Sequence, residues 1–368
     1  MILFKFLYIN LFLSAITPAK VDLASGFFKT NRLIQLKQEE PGIWMNKTQI
    51  LQLIKNRQHY LDITGIDVDM KSIIDRAVAP SGYTVPNSLS QKNMTIEACN
   101  NLDMKKAESF LNQLTSLHSR FFLTETGLQA STMLKSHLAS IIKPYRGAAE
   151  IEQVDHIWGQ PSFIVRLKGS KKPNHIAIMG AHYDSINQDD PFNGRSPGAD
   201  DNGTGVITIA EILRSLVQMQ YKPKRTIEFH FYAAEEWGLL GSLSIAFRYA
   251  LENRQVISML NIDMNGYKPD KIDNISIVSD YTNQDLTNLL KLCFKEYSKY
   301  STVDDECGYA CSDHASWDLA GFPSAHPSEK EWARGYHTDK DVVSDVDFDF
   351  LHQFARASVG LLFEVVEA

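Results

Sequence analysis

The 368-residue sequence lacks the features that mark several classes of protein. It has no internal repeat or low-complexity tract, and its 44% hydrophobic and 22% charged residues are typical of a globular protein, not of a fibrous or disordered one. It also lacks an excess of basic residues. The formal net charge of -7 and the pI near 5.9 argue against a nucleic-acid binder, which needs a basic face to neutralise phosphates.

Cysteine is scarce as well, with four residues. Cys307 and Cys311 frame the segment Cys-Gly-Tyr-Ala-Cys, a spacing compatible with a small disulfide loop in an exported protein. Zinc binding by these two cysteines is the alternative, but no second cysteine pair follows at the spacing of a zinc finger. Whether Cys99 and Cys293 pair or stay free remains open.

Residues 1–19 resemble a secretory signal peptide. An apolar stretch at 6–15 follows Lys5 and is too short for a comfortable membrane span, and Ala19 supplies the small residue before a candidate cleavage point. We therefore expect a secreted protein, extracellular or periplasmic. A buried N-terminal helix or an uncleaved anchor is the alternative. No other stretch could cross a membrane, so we expect no stable membrane association.

Residues 20–90 are predicted to be either a removable propeptide or a permanent N-terminal extension. They hold a helix-like segment with an N-cap at Asn46 or Thr48, running toward Tyr60, and none of the candidate ligands described below. The stretch 79–88 is rich in turn formers and is typical of a linker that a protease can cut. The remaining residues, 91–368, form the predicted catalytic domain.

Strand-like and helix-like segments alternate through this domain. The predicted helices span 103–117, 127–142, 206–217, 285–297 and 348–366, and predicted strands include 162–167, 174–179 and 275–278. Such alternation predicts an α/β fold with three layers, in which helices cover both faces of a mixed, mostly parallel sheet.

Candidate ligands follow three apolar runs. After the runs 175–181, 226–234 and 257–262 come, respectively, His182 with Asp184, Glu235 with Glu236, and Asp263. In an open α/β sheet, ligands bind outside the carboxyl ends of the strands, so these distant side chains can converge. Asp184 can accept a hydrogen bond from the His182 ring, because residues two apart on an extended backbone share a side.

The glycine-rich segment 197–205 carries two consecutive acids. Its glycines permit close approach, which would let Asp200 reach two metal ions with both carboxylate oxygens, although Asp and Asn also favour ordinary capping turns. Glu235 and Glu236 would repel each other near a core unless cations offset their charge. One can bind metal while the other takes a proton from water, although acids are also common in the first turn of a helix.

Adding His337 from the polar loop 335–341 gives two imidazoles and three carboxylates as direct ligands. This mixture of nitrogen and oxygen donors suits zinc, with manganese or cobalt as substitutes. The sequence therefore predicts a site for two Zn2+ ions per chain.

Several motifs, in order, resemble the secreted bacterial leucyl aminopeptidases, a family of co-catalytic dizinc exopeptidases. They are His-Tyr-Asp-Ser, Gly-Ala-Asp-Asp-Asn-Gly-Thr-Gly, Ala-Ala-Glu-Glu-Trp-Gly, Asn-Ile-Asp-Met, Cys-Gly-Tyr-Ala-Cys-Ser-Asp-His and His-Thr, and the resemblance covers about residues 95–368. It implies a phosphorylase/hydrolase-like zinc exopeptidase fold and an aminopeptidase acting on peptides with a free N-terminus. We expect a monomer.

The resemblance also implies individual roles. One zinc would bind His182, Glu236 and Asp200, and the other would bind Asp263, His337 and Asp200. Glu235 would be the general base and Tyr309 would help to hold the developing oxyanion. Cys307 and Cys311 would form a disulfide beside them.

The expected side-chain pocket departs from the leucine-preferring pattern. It is predicted to include Met264, His326, Ser328, Trp332 and Tyr336, and relatives tend to carry Met and Phe where His326 and Ser328 stand. A more polar pocket raises aromatic or basic N-terminal residues as substrates. Glu329 or Glu331 could then pair with a basic residue, although both are equally compatible with a solvent-facing loop.

Three other functions compete with this one: a carboxypeptidase, a one-zinc glutaminyl cyclase of the same superfamily, and a non-catalytic binding domain on the same scaffold.

Overall fold

The structure is a computed structural model that describes residues 26–37, 40–66 and 83–368. The predicted signal peptide, 1–19, lies outside the described residues, as does the start of the predicted linker, 79–82. Within the described residues, no helix is both long enough and apolar enough to cross a membrane.

The described chain contains eleven strands and nine α-helices. The strands are β1 Arg32–Gln35, β2 Ile43–Met45, β3 Leu61–Asp62, β4 Ala149–Val154, β5 Ser162–Leu167, β6 Lys172–His182, β7 Arg225–Tyr232, β8 Gln255–Asn261, β9 Asn274–Val278, β10 Ser301–Asp305 and β11 Ser324–Glu329. The helices are α1 Lys47–Lys55, α2 Lys92–Asn100, α3 Met104–Thr115, α4 Glu125–Ile142, α5 Gly205–Gln218, α6 Leu240–Leu251, α7 Gln284–Tyr297, α8 His314–Leu319 and α9 Phe348–Glu367.

The main sheet has eight strands in the order β10-β9-β11-β8-β6-β7-β5-β4. Its centre is parallel, because β6 pairs in parallel with both β7 and β8, and the pairs β8/β11 and β9/β10 are parallel too. The pairs β9/β11, β5/β7 and β4/β5 are antiparallel. The prediction of a mixed, mostly parallel sheet is confirmed.

Helices cover both faces of this sheet, as predicted. On one face, helices α2 to α5, α7 and α9 contribute to a single buried apolar cluster with the sheet side chains Val165, Ala177 and Phe229. On the other face, α6 and α8 pack against Ile164, Ile178 and neighbours. Strands with apolar side chains on both sides need such double cover, which gives the three layers.

A small N-terminal unit, formed by residues 26–37 and 40–66, packs on the predicted catalytic domain. It comprises the sheet β2-β1-β3 and helix α1, which begins at a capping box formed by Asn46 and Gln49 and ends at Lys55 instead of continuing toward Tyr60. Its apolar side chains share one buried cluster with the catalytic domain, including Phe27, Ile34, Ile50, Phe121, Phe122, Trp158 and Trp237. This segment therefore has no separate core of its own in the described structure.

A buried ionic network on β5 and β7 links the main sheet to helix α6. The carboxylate of Glu228 on β7 accepts hydrogen bonds from Arg166 Nε at 2.6 Å, Tyr249 Oη at 2.8 Å and His230 Nε2 at 2.9 Å. Burial alone would raise the pKa of Glu228, but its hydrogen bonds with His230 and Arg166 lower that pKa to about 2. The charged carboxylate therefore stabilises the folded chain.

Replacing Glu228 with Gln should lower the free energy of unfolding by about 2 kcal/mol near neutral pH, because Arg166 loses a charged hydrogen-bond acceptor but keeps Glu150 and Glu152. The lowered pKa means that this stabilisation is present above the unfolded value of 4.5 and is lost as the pH falls toward 2. The loss should therefore be smaller at about pH 3. Urea unfolding at both pH values measures it.

The matched control is Glu331→Gln at an exposed position, which should change the unfolding free energy by less than about 0.5 kcal/mol. Equal losses for Glu228→Gln at the two pH values would contradict a stabilising charge at this position.

Candidate metal centre

Three adjacent parallel strands, β8, β6 and β7, have their carboxyl ends close together. His182 is the last residue of β6, Asp263 follows β8 by two residues, and Glu235 follows β7 by three. Their exposed fractions are 1%, 5% and 9%, so all three side chains are buried. The predicted convergence at the carboxyl ends of the strands is what the structure shows.

The imidazole of His182 lies at the centre of this group. Its Nε2 is 3.2 Å from Asp201 Oδ1, 3.4 Å from Asp263 Oδ1 and 3.9 Å from Glu235 Oε2. On the other side of the ring, Nδ1 is 3.5 Å from Asp184 Oδ1. One nitrogen thus faces the carboxylates while the other faces Asp184.

Asp184 also holds the two glutamates. Its carboxylate accepts the backbone N–H of Glu235 at 3.0 Å and that of Glu236 at 3.3 Å. Ala234, directly before them, has a φ of 57°, a left-handed conformation that residues other than glycine seldom adopt. Asp184 therefore positions the turn that carries the glutamates, and the same carboxylate lies beside the His182 ring.

Asp201, not Asp200, lies between the two imidazoles, which differs from the position expected for Asp200. Asp201 Oδ1 faces His182 and its Oδ2 lies 3.0 Å from Nε2 of His337. The carboxylate of Asp200 instead accepts the N–H of Gly266 at 2.9 Å and interacts with Glu329, away from both imidazoles. Consecutive residues direct their side chains differently, which decides between the two acids.

The second imidazole, His337, meets Glu236. Its Nε2 is 2.8 Å from Glu236 Oε2, and its backbone has a φ of 57°. The shortest contacts therefore pair His182 with Asp263 and His337 with Glu236, with Asp201 between the two pairs. The expected sets joined His182 to Glu236 and Asp263 to His337. Atoms of His182, Asp201 and Glu236 also lie within 4.8 Å of one another, but the direct contacts follow the other pairing.

Residues that the sequence did not indicate complete the support. Asp341 accepts the N–H groups of Asp200 at 2.8 Å and Asp201 at 2.9 Å, and Ser312 Oγ donates to Asp263 Oδ2 at 2.6 Å. The buried Arg120 donates to carbonyl oxygens of Tyr183, Pro197 and Gly198, which joins the segments that carry His182 and Asp201. Such contacts span 49 to 141 positions and leave no local pattern in the sequence.

The electrostatics of this site are those of crowded negative charge. Burial, together with nearby Asp313, raises the pKa of Glu235 well above its ordinary value, even though His182 opposes the rise. Burial lowers the pKa of His337, but Glu236 and Asp201 raise it to about 10. Protons are thus held where cations would otherwise balance the carboxylates.

Several buried atoms here also lack a hydrogen-bond partner among the described residues: His182 Nε2, Glu236 Oε1 and Asp263 Oδ1. Buried polar atoms are normally satisfied, so unpaired donors and acceptors that face one another indicate a missing ligand. Imidazole nitrogen and carboxylate oxygen are ligands of zinc. The residues present therefore fit a metal centre.

A cleft of about 400 Å³ opens above these residues. Its walls include Tyr309 and all five predicted pocket residues, Met264, His326, Ser328, Trp332 and Tyr336. Residues of the N-terminal unit line it too, and the ring of His59 stacks on Tyr309 with centroids 3.5 Å apart. The N-terminal unit therefore covers part of the cleft.

Of the two glutamates expected near the pocket, Glu331 faces solvent as the alternative reading had it, whereas Glu329 does not. Glu329 is buried in β11, where its carboxylate accepts the N–H of Tyr267 at 2.9 Å and interacts with Asp200, so it is not free for a basic substrate. Glu331 is exposed and is not among the residues that line the cleft.

The structure shows which of the four cysteines form a disulfide. Cys307 and Cys311 form a disulfide with a Cα–Cα distance of 6.1 Å, and Asp280 accepts the N–H groups of Cys307 and Gly308 inside this loop. Cys99 and Cys293 are free and buried.

Known proteins share this sequence and fold. The chain is 35% identical over 350 residues to leucine aminopeptidase 1 of Trichophyton equinum, covering 91% of this chain and 92% of that protein. It is equally identical over 338 residues to leucine aminopeptidase 1 of Ajellomyces capsulatus (strain NAm1 / WU24), covering 88% and 87%. The resemblance to leucyl aminopeptidases is confirmed, and these relatives are fungal, not bacterial.

Solved structures agree on the fold. LapB from Legionella pneumophila superimposes with a TM-score of 0.78 at 24% identity, covering 94% of this chain and 97% of that one. A glutaminyl cyclase from Bacteroides thetaiotaomicron superimposes with a TM-score of 0.57 at 16% identity, covering 72% and 98%. The fold therefore does not by itself select one activity.

The model described as peptidase family M28 matches residues 162–362, the region that contains every strand end and loop of the site. Together with the relatives, this match shows that the protein is a peptide hydrolase, and the relatives' names support an aminopeptidase. This chain belongs to peptidase family M28.

Proposed function

We propose that the protein is a secreted, zinc-dependent aminopeptidase that hydrolyses the N-terminal peptide bond of peptides. One observation carries the proposal. The buried imidazole of His182, the partly buried imidazole of His337 and four carboxylates converge on the floor of a cleft, where several of their atoms lack any other partner. Secretion is supported by the signal-like residues 1–19 of the sequence.

Two zinc ions fit the donors better than one. By the shortest contacts, His182 and Asp263 would hold one ion, Glu236 and His337 would hold the other, and Asp201, which lies between the two pairs, would serve both. When bound, zinc would polarise the scissile carbonyl and lower the pKa of the attacking water.

Glu235 is the proton carrier in this proposal. Its carboxylate lines the cleft at 3.9 Å from His182, and its backbone is fixed by Asp184. Burial raises its pKa, and the positive charge of bound cations would oppose this rise, which favours a base active near neutral pH. Glu235 takes a proton from the water and passes it to the leaving amine.

Tyr309 faces the same space and can donate a hydrogen bond to the developing oxyanion. Burial raises the pKa of its hydroxyl, as do Glu235 and Asp263, so the group keeps its proton. A preorganised donor of this kind stabilises charge that appears in the transition state.

The charges of the cleft favour a free N-terminus over a free C-terminus. Among the described residues that line it, Arg57 and Lys330 carry the Arg or Lys cations, and Lys330 Nζ already pairs with Asp305 at 2.7 Å. A carboxypeptidase needs a cation to receive the terminal carboxylate, whereas a terminal amine suits a floor of carboxylates.

The pocket for the substrate side chain presents fewer free polar groups than its residue types suggest. Ser328 Oγ donates to the backbone carbonyls of Asp263 at 3.2 Å and Met264 at 3.3 Å, and the buried carboxylate of Glu329 accepts the N–H of Tyr267 at 2.9 Å. Rings of Trp332 and Tyr336 remain on the lining. We propose apolar and aromatic N-terminal residues as preferred substrates over basic ones.

Replacing Glu235 with Gln should lower kcat for aminoacyl anilides at least about 100-fold, because the proton carrier is lost while the metal donors remain. Zinc content should stay at the wild-type level. Glu331→Gln, an exposed change outside the cleft, is the control. Normal turnover by the Glu235 variant would refute the assigned base.

Asp201→Asn and Asp200→Asn form a matched pair of neighbouring changes. We expect Asp201→Asn to lose bound zinc and activity, since Asp201 contacts both imidazoles, and Asp200→Asn to keep its zinc. Elemental analysis of dialysed protein gives zinc per chain, and restoration of chelated wild type with zinc confirms the dependence. Loss of zinc from the Asp200 variant alone would reverse the assignment.

One ion in wild type, with activity on N-terminal glutamine, would favour a glutaminyl cyclase, and a chelated protein with unchanged function would favour a binding domain.

We also propose that residues 20–90 are a propeptide. His59 lies on Tyr309, and Asp62 donates its N–H to the carbonyl of Gly238 at 3.2 Å, so the segment covers the cleft beside the glutamates. The buried aromatic cluster that it shares with the catalytic domain supports the alternative, a permanent extension.

Mass spectrometry of active secreted protein tests the propeptide. We expect a mature N-terminus at or after the turn-rich stretch 79–88. Neither the processed nor the unprocessed protein should cleave N-blocked peptides. Fully active protein that still begins near residue 20 would establish a permanent extension.

A further inference from the structure

A second group of metal-binding side chains lies in the wall of the cleft, outside the catalytic centre. Cys311, His314 and His326 each offer one ligand atom, and these atoms lie within 4.8 Å of one another. Cys311 belongs to the disulfide loop, His314 is the first residue of α8, and His326 is on β11. The fold thus brings three separate elements together here.

The two imidazoles stack on each other, with ring centroids 4.6 Å apart and an angle of 24° between the planes. His314 is fully buried, and neither of its ring nitrogens has a hydrogen-bond partner among the described residues. Burial, together with the neighbouring His326, lowers the pKa of His314 well below its ordinary value, although the backbone of Asp280 opposes this shift. A buried ring with two unsatisfied nitrogens carries a cost that a ligand would remove.

His326 is 4% exposed, and its Nδ1 makes only long contacts, 3.4 Å to the carbonyl of Asn261 and 3.5 Å to its side-chain amide. Burial lowers the pKa of both histidines, so their rings are neutral and can donate lone pairs to a cation. This site has a route from solvent as well, because Cys311 and His326 line the cleft.

The third donor is controlled by the disulfide. While Cys311 is bonded to Cys307, its sulfur is a poor ligand. Reduction adds two electrons and two protons across the S–S bond and leaves two thiols. A phosphine supplies these electrons and leaves as the phosphine oxide, with its oxygen taken from water. The Cys311 thiol then releases its proton to solvent when it binds a cation.

We propose that the reduced chain binds an additional borderline-soft divalent cation, such as zinc or cobalt, through the Cys311 thiolate and the imidazoles of His314 and His326. One thiolate and two imidazoles are a donor set that zinc takes in proteins, with water as a fourth ligand. Ligand atoms on one zinc lie about 3.5 Å apart when its bonds are about 2.0 to 2.3 Å long, so binding requires these atoms, which lie within 4.8 Å of one another, to move closer by about 1 Å at most. A side chain released from the disulfide can rotate to make this change.

Cobalt is the probe, because a thiolate bound to Co2+ gives a charge-transfer absorption in the near ultraviolet that imidazole and carboxylate ligands do not give. In full-length Cys307→Ser the Cys311 thiol is free without a reductant. We expect this variant to bind one more cobalt ion per chain than wild type and to show the absorption.

The matched control is Cys311→Ser, which loses the same disulfide and leaves one thiol at Cys307. It should bind no additional cobalt and show no absorption. Cys307→Ser combined with His326→Met, which keeps an apolar side chain of similar size, should lose the absorption. The buried thiols of Cys99 and Cys293 are present in every variant and cancel in the comparison.

Absence of the absorption and of additional cobalt in folded Cys307→Ser would overturn the proposal, as would equal absorption in Cys311→Ser. Should Cys307→Ser fail to fold, wild type reduced with the phosphine before cobalt is added provides the same readout. The result is separable from the proposed activity, because an error in the catalytic centre changes the cobalt bound by wild type but not the thiolate absorption.

Discussion

The structure depends on one electrostatic constraint: four carboxylates and two imidazoles, all buried or partly buried, lie together at the carboxyl ends of three parallel strands. Burial and mutual repulsion make this arrangement costly without cations, and the raised pKa values of Glu235 and His337 show where protons gather in their place. The surrounding backbone is fixed accordingly. Asp184 accepts two N–H groups from the glutamate turn, and Asp341 accepts two from the turn that carries Asp201.

Much of the fold follows from local patterns. Strand β5 occupies the predicted residues 162–167, and α7 and α9 lie within one residue of their predicted bounds, because apolar periodicity and capping residues are local signals. The position of the site could also be predicted, because polar ligands that directly follow apolar runs lie at strand ends. The order of the strands could not, because pairing of β8 with β11 joins residues about 65 positions apart that share no local pattern.

The choice between neighbouring acids needed the structure. Asp200 and Asp201 have the same chemistry and adjacent positions, and only the backbone between Gly198 and Gly205 determines which carboxylate turns toward His182. The pairing of ligands failed for a similar reason. Contact between Glu236 and His337 depends on a loop that follows β7 by about 100 residues, whereas the resemblance supplied the residues without their distances.

The N-terminal unit contacts the turn that carries Glu235 and Glu236. Trp237 directly follows Glu236 and packs against Phe27 and Phe28, with ring centroids 6.3 and 5.4 Å away. The next residue, Gly238, accepts a hydrogen bond from the backbone of Asp62. Departure of the N-terminal unit would therefore open the cleft and, at the same time, remove apolar packing from the turn that carries Glu235 and Glu236. In an enzyme without the N-terminal unit, the two backbone hydrogen bonds that Asp184 accepts would be the main restraint on that turn.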